Sequence, residues 1–287
     1  MSREEKAKLV SKALKKIAAT DSRLDHNEWR IIVALERAIA RLEQHEQLRE
    51  HLVFKGGFVL LKTTNTTRFT KDVDALAVSI RRENVPALVQ SALAKDLDDG
   101  LWYGNAEVKD LDEQGLYGAY RFIVPFQIGG PPSNHKIKKL SRIHIDIGFS
   151  DKLPLRPKKE NMVSILPDTK PVSWAVYPPE YILAEKLETF VARASANSRA
   201  KDIFDLNLLF DLCQDLTEIM RAIHKTFQNR ETQVPASFHK FANEINHIIL
   251  KPAWMAVQLM EDNISFEESW TKFLKNLKKL DELVKPI

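Results

Sequence analysis

The spacing of apolar residues changes twice along the chain and divides it into three parts. Up to about Glu50 it is helical: Leu9, Val10, Leu14 and Ile17 recur at helix intervals, as do the apolar residues of HNEWRIIVALERAIARLEQ. Asp25 stands at the N-cap position of that second helix, with Glu28 three residues on at capping-box spacing. From His51 to about Pro171 the runs shorten to HLVFK, DVDALAV, LWYGNAEV, YGAYRFIVPFQI and SRIHIDIGF, which predict strands. The turn-forming GGPPSN and one helical stretch, VPALVQSALAKDL, interrupt them. After Pro178–Pro179 the strand signals stop, and YILAEKLETFVARA, KDIFDLNLLFDLC, LTEIMRAIHKTF, FHKFANEINHIIL and SWTKFLKNLKKLDELV all predict helices. The pattern therefore predicts an α+β protein: helices over 1–50 packing on a mixed β-sheet core over 51–172, then an all-helical domain over 173–287.

Composition changes this picture little. The 287 residues suffice for one large domain or two ordinary ones, and 44% apolar with 29% charged residues excludes a disordered chain. A net charge of +4 is too mild for histone-like coating of nucleic acid. The surplus is uneven, however. Between Pro131 and Glu160 eight basic residues (Lys136, Lys138, Lys139, Arg142, Lys152, Arg156, Lys158, Lys159) face three acids (Asp146, Asp151, Glu160). The single cysteine, Cys213, forbids an intramolecular disulfide and fits a reducing compartment. No apolar run approaches the roughly 20 residues of a membrane span, and MSREEKAKLVSKALKK has no apolar segment of a secretion signal. A cytoplasmic protein without a membrane partner is expected, its first helix a packing helix.

The candidate chemistry lies in FKGGFVLLKTTNTTRFTKDVDALAV, residues 54–78. A strand runs into Gly56–Gly57, then a short helix, a polar turn and Asp72–Val73–Asp74 at the head of another strand. Strand alternation projects Asp72 and Asp74 from one side with Val73 opposite. Two carboxylates so close repel unless a cation sits between them, and Mg²⁺ takes oxygen ligands of this kind beside phosphate oxygens. The glycines allow the backbone to approach an anion at a helix start, and Arg68 offers a bidentate phosphate contact. In SRIHIDIGF, Ile143, Ile145 and Ile147 share one face and leave His144, Asp146 and Gly148 on the other. If this strand lies beside the DVD strand, Asp146 completes a carboxylate triad suited to in-line displacement at phosphorus. Otherwise it is a solvated residue of an edge strand.

Strand, GG, helix, DxD and a third Asp on a later strand resemble the DNA-polymerase-β-like nucleotidyltransferase superfamily. Within it, LVFKGGFVLLKTTNTTRFTKDVDALAV resembles the AbiEii/AbiGii toxin family, the MenT-like toxins included. PPEYILAEKLETFVARASANSRAKDIFDLNLL is similar to that family's second signature, a lysine-bearing helix, a basic turn and a K/R-D-x-x-D-L helix. The likeness spans Val53 to about Leu209. It implies a nucleotidyltransferase-type mixed sheet with flanking helices. It further implies a Mg²⁺-dependent (or Mn²⁺-dependent) enzyme moving an NMP from an NTP onto RNA, tRNA being the expected acceptor, as the toxin of an abortive-infection or toxin–antitoxin pair with a cognate antitoxin.

By this resemblance Asp72, Asp74 and Asp146 hold the metal, Gly56, Gly57, Arg68, Thr70 and Lys186 meet the nucleotide, and Lys186 and Asp205 are active-site residues; Asp202 joins them in the nucleotide site. The residues themselves leave more open. Lys186 falls inside the apolar arc of Ile182, Leu183, Leu187, Phe190 and Val191, so it either snorkels out or serves an anion. Asp202 and Asp205 could hold Lys186, a base or a ribose, or complement the helix dipole. Phe58 stands where the family has a small residue, and Thr70 where it has serine. No HxxxH or Cys/His spacing supports zinc, and neither a P-loop motif nor GxSxG is present. Two other readings of the same fold stay open: a non-catalytic RNA- or protein-binding module, and a phosphotransferase acting on a protein.

Overall fold

A computed structural model of the chain describes all residues except 65, 112–117, 150–156, 258, 260–263 and 285–287. It divides into two compact units. The first takes in residues 1–64, 70–149 and 157–176; the second takes in 66–69 and the described residues from 177 onward.

The first unit opens with α1 (Arg3–Thr20), α2 (His26–Glu43) and α3 (Glu46–His51), which leads into β1 (Leu52–Lys55). There follow α4 (Gly56–Thr63), β2 (Asp72–Ala77), α5 (Val85–Ala94), β3 (Leu101–Tyr103), β4 (Glu107–Asp110), β5 (Ala119–Ile128), α6 (Asn134–Ile137), β6 (Arg142–Phe149), β7 (Lys158–Met162) and β8 (Val172–Val176). The strands form one mixed sheet in the order β3-β5-β6-β2-β1-β8-β7, with β4 pairing to β5. β2 and β6 run parallel at its centre, while β5 pairs with β6 antiparallel. On β6 the alternation works as expected: Ile143, Ile145 and Ile147 are fully buried, each worth roughly 2 kcal/mol of burial, and the intervening residues face the other way.

α2 covers the apolar side of this sheet. Asp25 and Glu28 close the capping box at its start, each side chain accepting the other's backbone N–H at 2.7 Å. Ile32, Val33, Leu35 and Ile39 are buried along its inner stripe. Arg41, also buried, ties the helix down through a two-pronged contact to Asp99 (2.7 and 2.9 Å) and lies 4.6 Å from the Tyr103 ring centroid. Among the described residues no helix is long and apolar enough to cross a membrane.

The second unit contains α7 (Pro179–Arg193), α8 (Ala200–Leu212), α9 (Leu216–Asn229), α10 (Phe238–Glu244), α11 (Leu250–Ala253) and α12 (Phe266–Val284). Its core gathers Leu187, Phe190, Ile223, Phe227 and Phe273, with Phe190 set edge-on to Phe273 at 5.1 Å. Several elements differ from the expected pattern: VSWAV, where the all-helical domain was expected to begin, is the strand β8, and LWYGNAEV is split between β3 and β4. FHKFANEINHIIL is not one helix: the chain turns extended at Ile245, and the Asn246 side chain accepts the N–H of Ile248, an Asx turn that competes with helix continuation. KKENM, where no strand was expected, is β7; it lies at the sheet edge with four exposed residues and so has no apolar alternation to betray it.

Candidate active site

One row of the sheet concentrates charge. Across four neighbouring strands, Lys55 on β1 stands opposite Asp74 on β2, Asp74 opposite Asp146 on β6, and Asp146 opposite Arg121 on β5. Residues directly opposite point to the same face, so two carboxylates sit side by side with a cation at each end. Asp72, two residues before Asp74, shares that face and stands opposite His144, whose Nδ1 lies 3.0 Å from its carboxylate. β2 and β6 thus bring Asp72, Asp74 and Asp146 together, and Asp146 belongs to an inner strand.

Arg121 decides the electrostatics. Its guanidinium grips Asp146 through two parallel hydrogen bonds of 2.8 and 2.7 Å. That contact, outweighing the burial that opposes it, raises the arginine above its usual range, and Asp72 and Asp74 add to the effect. Neither Arg121 nor Lys55 was singled out from the sequence. Each is an ordinary strand residue until the register is known, and only the alternation of YRF, with Arg121 opposite in face to Phe122, hinted at an outward charge.

Gly56 sets the entrance to this row. Its φ is +76°, and a Cβ built there would lie 2.1 Å from Oδ2 of Asp74. The glycine is required both by the left-handed backbone, which lets β1 turn at once into α4, and by the close approach of the Asp74 carboxylate. Gly57 is buried in the first turn of α4, and Phe58 packs edge-on against Trp174 at 6.4 Å, so the bulky residue after the glycines points into the core. Thr70 is buried, and its hydroxyl accepts the N–H of Asp72 at 3.4 Å, bracing the turn that leads into β2.

As donors, three carboxylates on adjoining strands are of the hard oxygen type that a divalent cation takes. Among the described residues, though, no three His, Cys, Asp or Glu side chains converge to hold one ion. Asp146 is turned to Arg121 and Asp72 to His144. The set fits such a cation by chemistry and by shared face; Arg121 occupies Asp146.

Arg68, Lys186, Asp202 and Asp205 form a cluster within the second unit. Lys186 reaches Asp202 at 2.7 Å and Asp205 at 2.8 Å; Arg68 takes Asp205 through two bonds of 2.6 and 2.9 Å; Arg199 pairs with Asp202. The first four are almost fully buried. Burial alone would push both aspartates up, but Lys186 with Arg199, and Lys186 with Arg68, outweigh it and hold both well below the carboxylate range. Lys186 is raised in turn: the two carboxylates overcome its desolvation. Of the options open for Asp202 and Asp205, holding Lys186 is the one seen, and Arg68 is engaged by Asp205.

The basic stretch of 131–160 is not one patch. Lys136, Lys138, Lys139 and Arg142 are exposed in and beside the β5–β6 connection, whereas Lys158 and Lys159 lie on β7. β7 is four strand positions from β6, about 19 Å at roughly 4.8 Å per strand. Asp151, Lys152 and Arg156 fall outside the described residues.

The family model described as "Nucleotidyl transferase AbiEii toxin, Type IV TA system" matches residues 37–285. Among solved structures, the nucleotidyltransferase toxin MenT4 from Mycobacterium tuberculosis is similar with a TM-score of 0.63 at 18% identity, over 94% of this chain and 89% of that one. JHP933 from Helicobacter pylori is similar with a TM-score of 0.51 at 16% identity, over 90% of each chain. At these identities the likeness is one of fold. No curated protein matches the chain significantly by sequence.

Proposed function

The chain belongs to the AbiEii family of nucleotidyltransferase toxins of type IV toxin–antitoxin systems, and from that premise we propose that it transfers an NMP from an NTP to RNA, with tRNA the acceptor, at the row of Asp72, Asp74 and Asp146. The observation that carries this reading is the register of Asp74 against Asp146, with Asp72 on the same face. Like charges set directly opposite cost stability, and a sheet that keeps them there has a use for the negative field.

Mg²⁺ is the proposed cofactor, with Asp72 and Asp74 as its first ligands and Asp146 joining them. When bound it would neutralise triphosphate charge and polarise the reacting phosphoryl group. The side chains have their own tasks. Gly56 keeps the Asp74 carboxylate against the β1–α4 turn, where a side chain would displace it. Thr70 holds the backbone that launches β2. Arg121, released from Asp146, carries a guanidinium suited to bidentate contact with phosphate oxygens. The acceptor hydroxyl gives up its proton to solvent water as it forms its new bond to the α-phosphorus, the bond from that phosphorus to the bridging oxygen breaks, and pyrophosphate leaves. Lys186 and Asp205, with Asp202, Arg68 and Gly57, are active-site candidates through the resemblance. A cognate antitoxin is the proposed partner.

Transfer is tested with purified protein, Mg²⁺, total RNA and ATP, CTP, GTP or UTP labelled at either the α- or the γ-phosphorus. The reading expects α-label on RNA and γ-label in pyrophosphate. Gamma-label on a protein would instead favour the phosphotransferase, and label on nothing would remove the transferase reading.

A further inference from the structure

The first helix carries two sets of basic residues that are treated differently. On its packed side, next to buried Ala7, Val10 and Leu14, Arg3 and Lys6 are neutralised by Asp96 and Asp98. On its outer arc, Lys8, Lys12, Lys15 and Lys16 are exposed and form no ion pair among the described residues. The helix's acids, Glu4 and Glu5, are confined to the first turn, and Glu5 is spent on the N-terminal capping box. Ordinary solvated helix faces mix the two signs. This one does not from Lys8 onward, across a rise of about 12 Å.

The arc also borders a groove of about 480 Å³ lined by Lys8, Ser11, Lys12, Lys15, Ala7 and Ile128. Ile128 ends β5, the connection that leaves it bears the exposed Lys136, Lys138 and Lys139, and exposed Arg142 opens β6. β5 runs antiparallel to β6, pairing Pro125 with Arg142, so Ile128 lies beyond the start of β6, at the end of the sheet where β2 begins with Asp72, and it alternates with Phe122, Val124 and Phe126 onto the α2 side, the face opposite to Arg121 and the carboxylates. The row of Asp72 lies opposite His144 and hence Ile123, five residues from Ile128, or about 17 Å along the strand. The row of Asp146 is seven residues away, about 23 Å.

We propose that the outer arc of α1, with the β5–β6 connection beyond Ile128, is a docking surface for the phosphate backbone of the acceptor RNA, gripping it away from the reacting end and around the end of the sheet at which β2 begins. The inference rests on RNA being the acceptor. α1 precedes residues 37–285, the span matched by the family model, whereas the β5–β6 connection lies within it. Charge complementarity selects the occupant: four exposed lysines that form no ion pair among the described residues suit a polyanion, and an acidic protein is the outcome that the experiment must separate.

The surface makes the acceptor's length the informative variable. The triple variant Lys8→Glu/Lys12→Glu/Lys15→Glu and the charge-keeping Lys8→Arg/Lys12→Arg/Lys15→Arg are compared with the wild type for binding to total tRNA and to a trinucleotide, over a range of salt. The acidic variant is expected to lose at least tenfold in tRNA affinity and to flatten the salt slope by about 2 to 3, while its trinucleotide binding stays within about twofold. The arginine variant should match the wild type. Equal tRNA affinity and slope in wild type and acidic variant overturn the surface while leaving an RNA acceptor in place. Absence of tRNA binding by the wild type overturns the acceptor reading and this surface with it. Equal losses for both RNAs point to general misfolding or field effects and also overturn it. The exposed side chains make folding checkable by an unchanged thermal transition.

Discussion

The two charged clusters of this protein use the same residue types to opposite ends. In the second unit Arg68, Lys186 and Arg199 surround Asp202 and Asp205, every carboxylate meets two cations, and all but Arg199 are buried. In the first unit Asp72, Asp74 and Asp146 line one open face, and Asp146 keeps 17% of its side chain exposed. There two carboxylates stand directly opposite each other between Lys55 and Arg121. A saturated cluster has little left to offer a ligand and much to lose if one member goes. An incompletely balanced, solvent-facing row gains from an added cation. That difference, more than any single motif, makes the row the candidate transfer site.

The largest effect belongs to Asp74→Ala, which should lower transfer by at least about 10²–10³-fold with a change in thermal stability smaller than that of the buried cluster below, since the loss of the like-charge contact with Asp146 is set against the loss of the cation Lys55 opposite; turnover and melting measured on one preparation decide it. Lys186→Met should act mainly on stability. Removing one partner of a buried pair leaves uncompensated charge, a loss of about 3–5 kcal/mol in denaturant unfolding. Because both aspartates are held below their unfolded values, the cluster's contribution is present above the ordinary carboxylate range and fades as pH falls through it. A Lys186→Met protein that is fully stable yet inactive would move Lys186 from scaffold to chemistry.

Arg121→Ala sharpens the contrast without any turnover. Its loss leaves Asp146 facing Asp74 without the guanidinium, so the variant should melt lower than wild type in chelator and show the larger upward shift on adding Mg²⁺ or Mn²⁺, by a few degrees. Equal shifts would mean that the arginine and a cation do not compete for the same carboxylates. The smallest effect concerns Glu43 at the end of α2. Burial, only partly offset by the N–H of Ala175, pushes its carboxyl up to about 7. The fold therefore favours the protonated acid: this stabilisation is present below about pH 4.5 and is lost as pH rises through 7. Glu43→Gln should flatten the decline of melting temperature between pH 5 and 8, a change on the order of 1–2 kcal/mol.

How much of this was legible depends on whether the information is local. The capping box of Asp25 and Glu28 and the alternation of Ile143, Ile145 and Ile147 are written within a few residues and appear as read. So is the placement of Lys186 within an apolar arc, and the residue is buried. The strand pairing was not written locally. Nothing in DVDALAV or SRIHIDIGF states that they are neighbours, and the sequence reading could only make the triad conditional on it. Arg121 depends on two registers at once, β5 on β6 and β6 on β2, so no single segment could reveal it. The placement of the basic stretch was hidden for the same reason: charges adjacent in sequence are carried by the β5–β6 connection and by β7, at different places along the sheet.

The most direct test of the carboxylate row compares wild type with Asp74→Asn, which keeps shape and hydrogen-bonding capacity but removes the charge. Both proteins are incubated with tRNA, Mg²⁺ and α-labelled NTPs, and labelled tRNA is resolved on a gel. The row as transfer site predicts label on tRNA with wild type and none above background with the equally stable variant. Equal labelling by the two proteins would contradict it.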